Sequence, residues 1–321
     1  MKKKILLLSG DPNSINSELI FKTWKKLNKT TRKRIYLISN FNLMKAQFKK
    51  LKYPIKIIKI KNLDDEIQGN FLKIINVDIS FKNSLDVPLT SRSKFIIKSL
   101  NIAHQLALKK EVKGIINCAI DKKLLKKEGS GVTEFLASKC KIKNNKEVML
   151  IKNKKLAIAP ITTHINIKQV SKNISAKKII NKTKIIEKWY KDIFNFKPKI
   201  GILGLNPHNA ELRKKSEEVK IVIPAIKKLK MSGLKVSGPL VSDTLFINNY
   251  KNFDVVIGMF HDQVLAPFKA LFKFNAINIT LGLKYLRVSP DHGTAINMIG
   301  KNKSNPKSLI ECVNFVNKFG K

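Results

Sequence analysis

Short apolar runs alternate with amphipathic stretches along this chain, and that alternation admits few folds. KILLLS (4–9), RIYLIS (34–39), IKIIKI (55–60) and VKGIINCAI (112–120) read as strands, and PKIGILGL (198–205), NFDVVIGM (252–259) and AINITLGL (276–283) as buried ones. Between them, Asn16–Lys29 places Leu19, Ile20, Trp24 and Leu27 at helical spacing. Ser91 or Ser93 is expected to cap a helix whose apolar face holds Ile97, Leu100, Ala103 and Leu106. Further helices are expected from Thr133 to Cys140 and from Ser175 to Phe194, the latter long and basic. EVMLIKNKKLAIAP (147–160) reads as an antiparallel hairpin with KNKK at its tip. Strands alternating with helices make an α/β fold with a largely parallel sheet. No internal repeat, low-complexity tract or obvious linker interrupts it.

Composition narrows the function classes. At 321 residues and 43% hydrophobic content the chain can build one large domain or two lobes. No apolar run approaches the ~20 residues of a membrane span. The opening MKKKILLLSG has only ILLL as its apolar part, well short of the ~7–15 residues of a signal-peptide core, so a first strand is the better reading. Cys118, Cys140 and Cys312 are odd in number and widely spaced, which suggests a reducing, cytoplasmic setting without a disulfide framework. The net charge of +42 raises the question of nucleic acid. Yet the lysines are dispersed, they lack interleaved aromatics, and Lys, Ile and Asn all have A/T-rich codons. Solvated lysine faces account for the charge, and no nucleic-acid or membrane partner is expected.

Ligands of such folds gather beyond the carboxyl ends of strands. Three of the five histidines fall there: His164 after the second hairpin arm, His208 in GILGLNPHNAE, and His261 in VVIGMFHDQ. Neutral imidazoles suit a divalent transition metal and leave positions for substrate oxygens. The bland alternative is three unrelated loop histidines. A second constellation is Lys269, Asn278 and Arg287, at nine-residue intervals. Arg287 is one of only five arginines among 64 basic residues, and its planar fork suits a phosphate or carboxylate. Its alternative is an ordinary surface arginine. The loop SPDHGTAINMIGKNKSNP (289–306) has the small residues of a tight turn against a ligand, but no G-x-G-x-x-G occurs.

Taken together, GDP near the N-terminus, TEFLASKC, ITTHI, LNPHNAE, SEE, IPA, GPLVSDTLF, FDVVIGMFHDQVLAPFKAL, NITLGLKYLRVSPDHGTA and IGK resemble the 4-hydroxythreonine-4-phosphate dehydrogenase family of pyridoxine-phosphate biosynthesis. The match is dense after Asn206 and patchy before it. The resemblance implies a two-lobed α/β/α fold like that of isocitrate and isopropylmalate dehydrogenases, with residues 1–321 as one catalytic unit around a central cleft. It implies NAD(P)- and metal-dependent oxidation of 4-phosphooxy-L-threonine at C3, then decarboxylation to 3-amino-2-oxopropyl phosphate. By position, His164, His208 and His261 would hold the metal (Zn, Mg, Mn or Co). Thr133, Lys269, Asn278 and Arg287 would contact substrate, and Asp243 and Asp262 are the acidic candidates for proton relay. His292, Gly293, Thr294 and Ala295 would meet the adenosine of NAD or NADP. The family is a homodimer with a shared active site. The chain departs from the family in three places. Val132 stands where the family has a substrate-contacting histidine, GDPNSINSE has lost the inner glycines of the N-terminal motif, and Asn297 stands where an aspartate is common. Val132 keeps open a paralogous dehydrogenase for another phosphorylated hydroxy acid, such as a four-carbon sugar acid phosphate. A decayed, non-enzymatic metal or nucleotide binder is a further alternative.

Overall fold

The computed structural model describes residues 4–65, 67–125, 131–142 and 147–320. In chain order the strands are β1 (Lys4–Leu8), β2 (Ile35–Ser39), β3 (Ile57–Ile60), β4 (Leu72–Asn76), β5 (Val112–Asn117), β6 (Val148–Lys152), β7 (Ala157–Pro160), β8 (Ile200–Leu203), β9 (Val236–Leu240), β10 (Val255–Gly258), β11 (Ile277–Leu281) and β12 (Arg287–Pro290). The chain divides into two compact units, Met1–Lys141 with Leu283–Lys321, and Ile142–Gly282.

In the first unit the strand order is β3-β4-β2-β1-β5-β12, and every pairing is parallel. Ile5 to Leu8 and all of β2 are buried, as a parallel sheet covered on both faces requires. One face packs Leu6, Leu8, Ile38 and Ile115 against Phe95, Leu100 and Ala103 of the helix Leu89–Leu108, and against Phe135 and Leu136 of the helix Val132–Lys139. The capping expectation needs correction. The helix begins at Leu89, behind Pro88, so Ser91 and Ser93 lie inside its first turns. The Ser93 hydroxyl instead donates to the Leu124 carbonyl at 2.6 Å. Proline sets the start here, because its fixed φ favours the boundary and the first turn's N–H groups need no intrahelical acceptor.

In the second unit the order is β11-β6-β7-β10-β8-β9. β6 and β7 form the antiparallel hairpin, and β6 also pairs antiparallel with β11. Asn153 closes the hairpin tip, its side-chain oxygen accepting from the N–H groups of Lys155 and Leu156. The remaining pairs, β7 with β10, β10 with β8 and β8 with β9, are parallel. The basic helix runs Ala176–Phe194. Ser175 caps it by accepting from Lys178 N–H, and left-handed Asn195 ends it. Among the described residues no helix is long and apolar enough to cross a membrane.

Candidate active site

The three histidines follow the ends of β7, β10 and β8, which are neighbours in that order. Their loops therefore leave one edge of the sheet side by side. His261 is the first residue of the helix His261–Phe272, and its Nδ1 lies 2.6 Å from Asp262 Oδ1. The His164 ring stands 5.7 Å from the His261 ring, centroid to centroid. His208 sits on a turn where five successive residues, His208 to Leu212, have φ between 45° and 57°. None is glycine, so the turn stores strain that its surroundings must hold. His208 Nε2 lies 3.6 Å from Asp243 Oδ2, and both side chains are largely exposed.

The structure thus joins His164 to His261 and His208 to Asp243. Among the described residues no group of three or more His, Cys, Asp or Glu stands ready to hold a metal. The donor chemistry still fits a divalent transition metal: two imidazoles stand side by side at 43° to one another, and the third follows the adjacent strand.

The backbone that leads into the left-handed turn is held by a residue that sequence reasoning missed. Glu218 is fully buried, and one of its oxygens accepts from the N–H groups of Leu205 and Asn206 at 2.8 Å each. The Asn206 amide also donates to it, at 3.1 Å to the other oxygen. Burial pushes the Glu218 carboxyl up, but these hydrogen bonds outweigh it and leave the group below its ordinary value. Its place in SEE, just beyond LNPHNAE, was the signal available.

Arg287 is not a surface arginine. It is 3% exposed at the start of β12. Its Nε donates to Asn117 Oδ1 at 2.7 Å, and one Nη reaches Thr133 Oγ1 at 3.4 Å. Burial lowers its pKa to about 10. Two of the expected substrate contacts, Thr133 and Arg287, therefore meet in the first unit, with Asn117 as an unforeseen third member. The other two lie in the second unit. Asn278, on β11, has a buried side-chain oxygen with no hydrogen-bond partner among the described residues. The Lys269 ammonium lies 5.0 Å from the Phe274 ring centroid.

The loop after β12 is tied down from its protein side. Thr294 O accepts from Ile15 N–H at 3.1 Å, and His292 Nδ1 lies 3.0 Å from Gly293 O. Glu18 accepts from Ser304 N–H, while Lys22 reaches Glu18, Asn302 O and Ser304 O. A Cβ placed on Gly293 would meet nothing within 4 Å among the described residues, so the backbone there has an open face. Ala295 adopts φ 45°. The N-terminal stretch GDPNSINSE is buried scaffold: Asp11 pairs with Arg92 at 3.1 Å, and Asn13 exchanges two hydrogen bonds with the backbone of Val87. A cavity of about 480 Å³ beside Trp24, Tyr36 and Lys73 contains none of the expected site residues.

Comparison with known proteins places this geometry in context. The family model for pyridoxal phosphate biosynthetic protein PdxA matches residues 30–316. The 4-hydroxythreonine-4-phosphate dehydrogenase of Sulfurihydrogenibium sp. (strain YO3AOP1) is 37% identical over 318 residues, covering 97% of this chain and 96% of that protein. Its counterpart in Aquifex aeolicus (strain VF5) is 36% identical over 321 residues, covering 98% of each. The crystal structure of a 4-hydroxythreonine-4-phosphate dehydrogenase from Burkholderia phymatum superposes with a TM-score of 0.78 at 25% identity, covering 100% of this chain and 99% of that one.

Proposed function

The chain belongs to the PdxA family of pyridoxal phosphate biosynthetic proteins, and on that premise we propose that it oxidises 4-phosphooxy-L-threonine at C3 with NAD or NADP and one divalent metal, then releases CO2 to give 3-amino-2-oxopropyl phosphate. The observation that carries the reading is the pair of adjacent histidines, His164 and His261, at neighbouring strand ends in a chain with only five.

In this reading His164, His208 and His261 hold a divalent ion (Zn, Mg, Mn or Co). Bound there, it supplies Lewis-acid polarisation of the substrate's hydroxyl oxygen and an electron sink for decarboxylation. A dinucleotide bound here would supply the hydride acceptor for C3, and the hydroxyl proton would leave to a base. Arg287 and Thr133 bind an anionic group of the substrate, Asn117 orienting the guanidinium. Lys269 and Asn278 take the remaining polar groups. Asp262 holds the His261 ring by its Nδ1, and Asp243 or Asp262 accepts the proton. His292 to Ala295 receive the adenosine end of the dinucleotide over the open face of Gly293. Residues 1–321 act as one catalytic unit, and two chains share the site in a homodimer. Three free, buried cysteines support a reducing, cytoplasmic setting.

The test is absorbance at 340 nm with 4-phosphooxy-L-threonine, with and without a chelator. Chelator-sensitive NADH or NADPH formation is expected, and no turnover with added metal overturns the reading. Val132 favours one second reading. It packs on the apolar cluster around Phe95 and Leu136 and offers the substrate no polar group. A related dehydrogenase acting on a phosphorylated hydroxy acid without the amino group would have that pocket, and the same assay with a four-carbon sugar acid phosphate decides between them.

A further inference from the structure

The loops that carry His164, His208 and His261 are joined to one another through the backbone of a single buried residue, Met259. Its N–H donates to Gln263 Oε1 at 2.7 Å. The same Gln263 amide donates through Nε2 to the carbonyl of Gly204 at 2.7 Å. On the other side, the Met259 carbonyl accepts from both the N–H and the hydroxyl of Thr162, at 3.1 and 2.7 Å. Thr162 is two residues before His164, Met259 two before His261, and Gly204 four before His208. One continuous chain of hydrogen bonds therefore runs across the ends of β7, β10 and β8.

The local sequence is built around this chain. A Cβ on Gly258 would come within 3.0 Å of Gln263 Oε1 and 2.6 Å of Val264. A Cβ on Gly204 would come within 2.0 Å of Asn209 Oδ1, beside His208 on the left-handed turn. A side chain at either place would have to displace the groups it meets, Gln263 and Val264 at the one and the Asn209 amide at the other. Gln263 uses both ends of its amide, one accepting and one donating. Glutamate keeps the acceptor but has no N–H for Gly204, and asparagine is one carbon short.

We infer that Gln263 and Thr162 are positioning residues that brace the three histidine loops about Met259 and so set the spacing of the imidazoles. The inference rests on the three-histidine metal reading. Neither residue donates to the metal. Each acts by fixing the backbone from which a ligand projects, and loss of such outer partners typically weakens metal binding ~10–100-fold.

The test uses the full-length protein stripped of metal and titrated with Co2+ alone, followed by its visible absorption, with thermal unfolding of the metal-free protein as the control for folding. Gln263→Leu and Thr162→Val are expected to raise the Co2+ dissociation constant ~10–100-fold and to change the band shape. Thr162→Ser keeps the hydroxyl and is expected to restore wild-type binding and spectrum. If Gln263→Leu fails to fold, the Thr162→Val and Thr162→Ser pair decides alone. Wild-type affinity and spectrum in folded Gln263→Leu or Thr162→Val, with binding lost in His261→Ala, overturns the brace. Wild-type binding in His261→Ala refutes the metal site itself, and the brace falls with it.

Discussion

Arg287 shows how burial changes what a single basic residue can do. The lysines of this chain are mostly solvated, whereas the Arg287 guanidinium is enclosed and already oriented by Asn117 and Thr133. A lysine at 287 keeps the charge but presents a point donor, so it cannot serve Asn117, Thr133 and an anion in one plane. Arg287→Lys is expected to lower kcat/KM roughly 10–150-fold, the equivalent of one charge-assisted hydrogen bond at ~1.5–3 kcal/mol. Steady-state reduction of NAD or NADP measures it, and an unchanged value would mean that Arg287 serves the fold alone. Val132 is the opposite case. Its side chain is half-buried against the apolar cluster. A histidine there exchanges apolar contact for a polar ring that needs a partner. Val132→His is expected to destabilise the protein by ~1–2 kcal/mol in urea unfolding while leaving metal content intact. A tenfold rise in kcat/KM on 4-phosphooxy-L-threonine without loss of stability would show instead that the pocket still accommodates the ring.

Between residues and the fold stand the loops after the strands, and Glu218 governs one of them. Its folded-state pKa lies below the ordinary 4.5. The unfolded chain therefore binds the proton first. The contribution of Glu218 to stability is complete above 4.5 and is lost as pH falls through the lower folded value. Glu218→Gln removes this titration, so its stability should change less than the wild type's on the acid limb. Urea unfolding at a series of pH values below 5.5 tests it, and parallel curves would exclude Glu218 as a source of acid lability. The same scale shows what sequence could reveal. β1, β2, β5 and β10 were legible because parallel strands covered on both faces are continuous apolar runs. β9 (VSGPL) and β12 (RVSP) were not, because proline and polar residues interrupt the pattern, although β8 and β5 pair with them. The helix at Leu89 was found, but its start was misplaced because two serines looked like better caps than Pro88. The histidines were legible as strand-end residues. The distances between their rings were not, since His208 sits on a five-residue left-handed turn, and no glycine in that stretch announces such a turn.

At the scale of the whole molecule, the expected ligands divide between the two compact units, and that division gives a prediction about where each ligand rigidifies the chain. All three histidines, Gln263, Thr162 and Glu218 lie within Ile142–Gly282. Arg287, Thr133, Asn117 and the loop from His292 to Ser304 lie in the other unit. A ligand that binds only the folded protein stabilises it by RT ln(1 + [L]/Kd), about 2.7 kcal/mol at a hundredfold excess over Kd. That gain appears as slower amide exchange in the segments whose opening releases the ligand. Co2+ alone should therefore slow exchange in 160–166, 204–212 and 258–264, and leave 115–118 and 286–295 as they were. Adding NAD should slow exchange in 291–304, where Glu18 and Lys22 already anchor the loop from beneath. The phosphorylated substrate should extend protection to Asn117 and Thr133. His208→Ala should abolish the response to Co2+ while keeping the response to NAD, because the residues assigned to the two ligands share no segment. Protection by Co2+ spread evenly over the chain, which the dispersed lysines cannot cause, would show that the ion acts through assembly or overall compaction and not through the three strand ends.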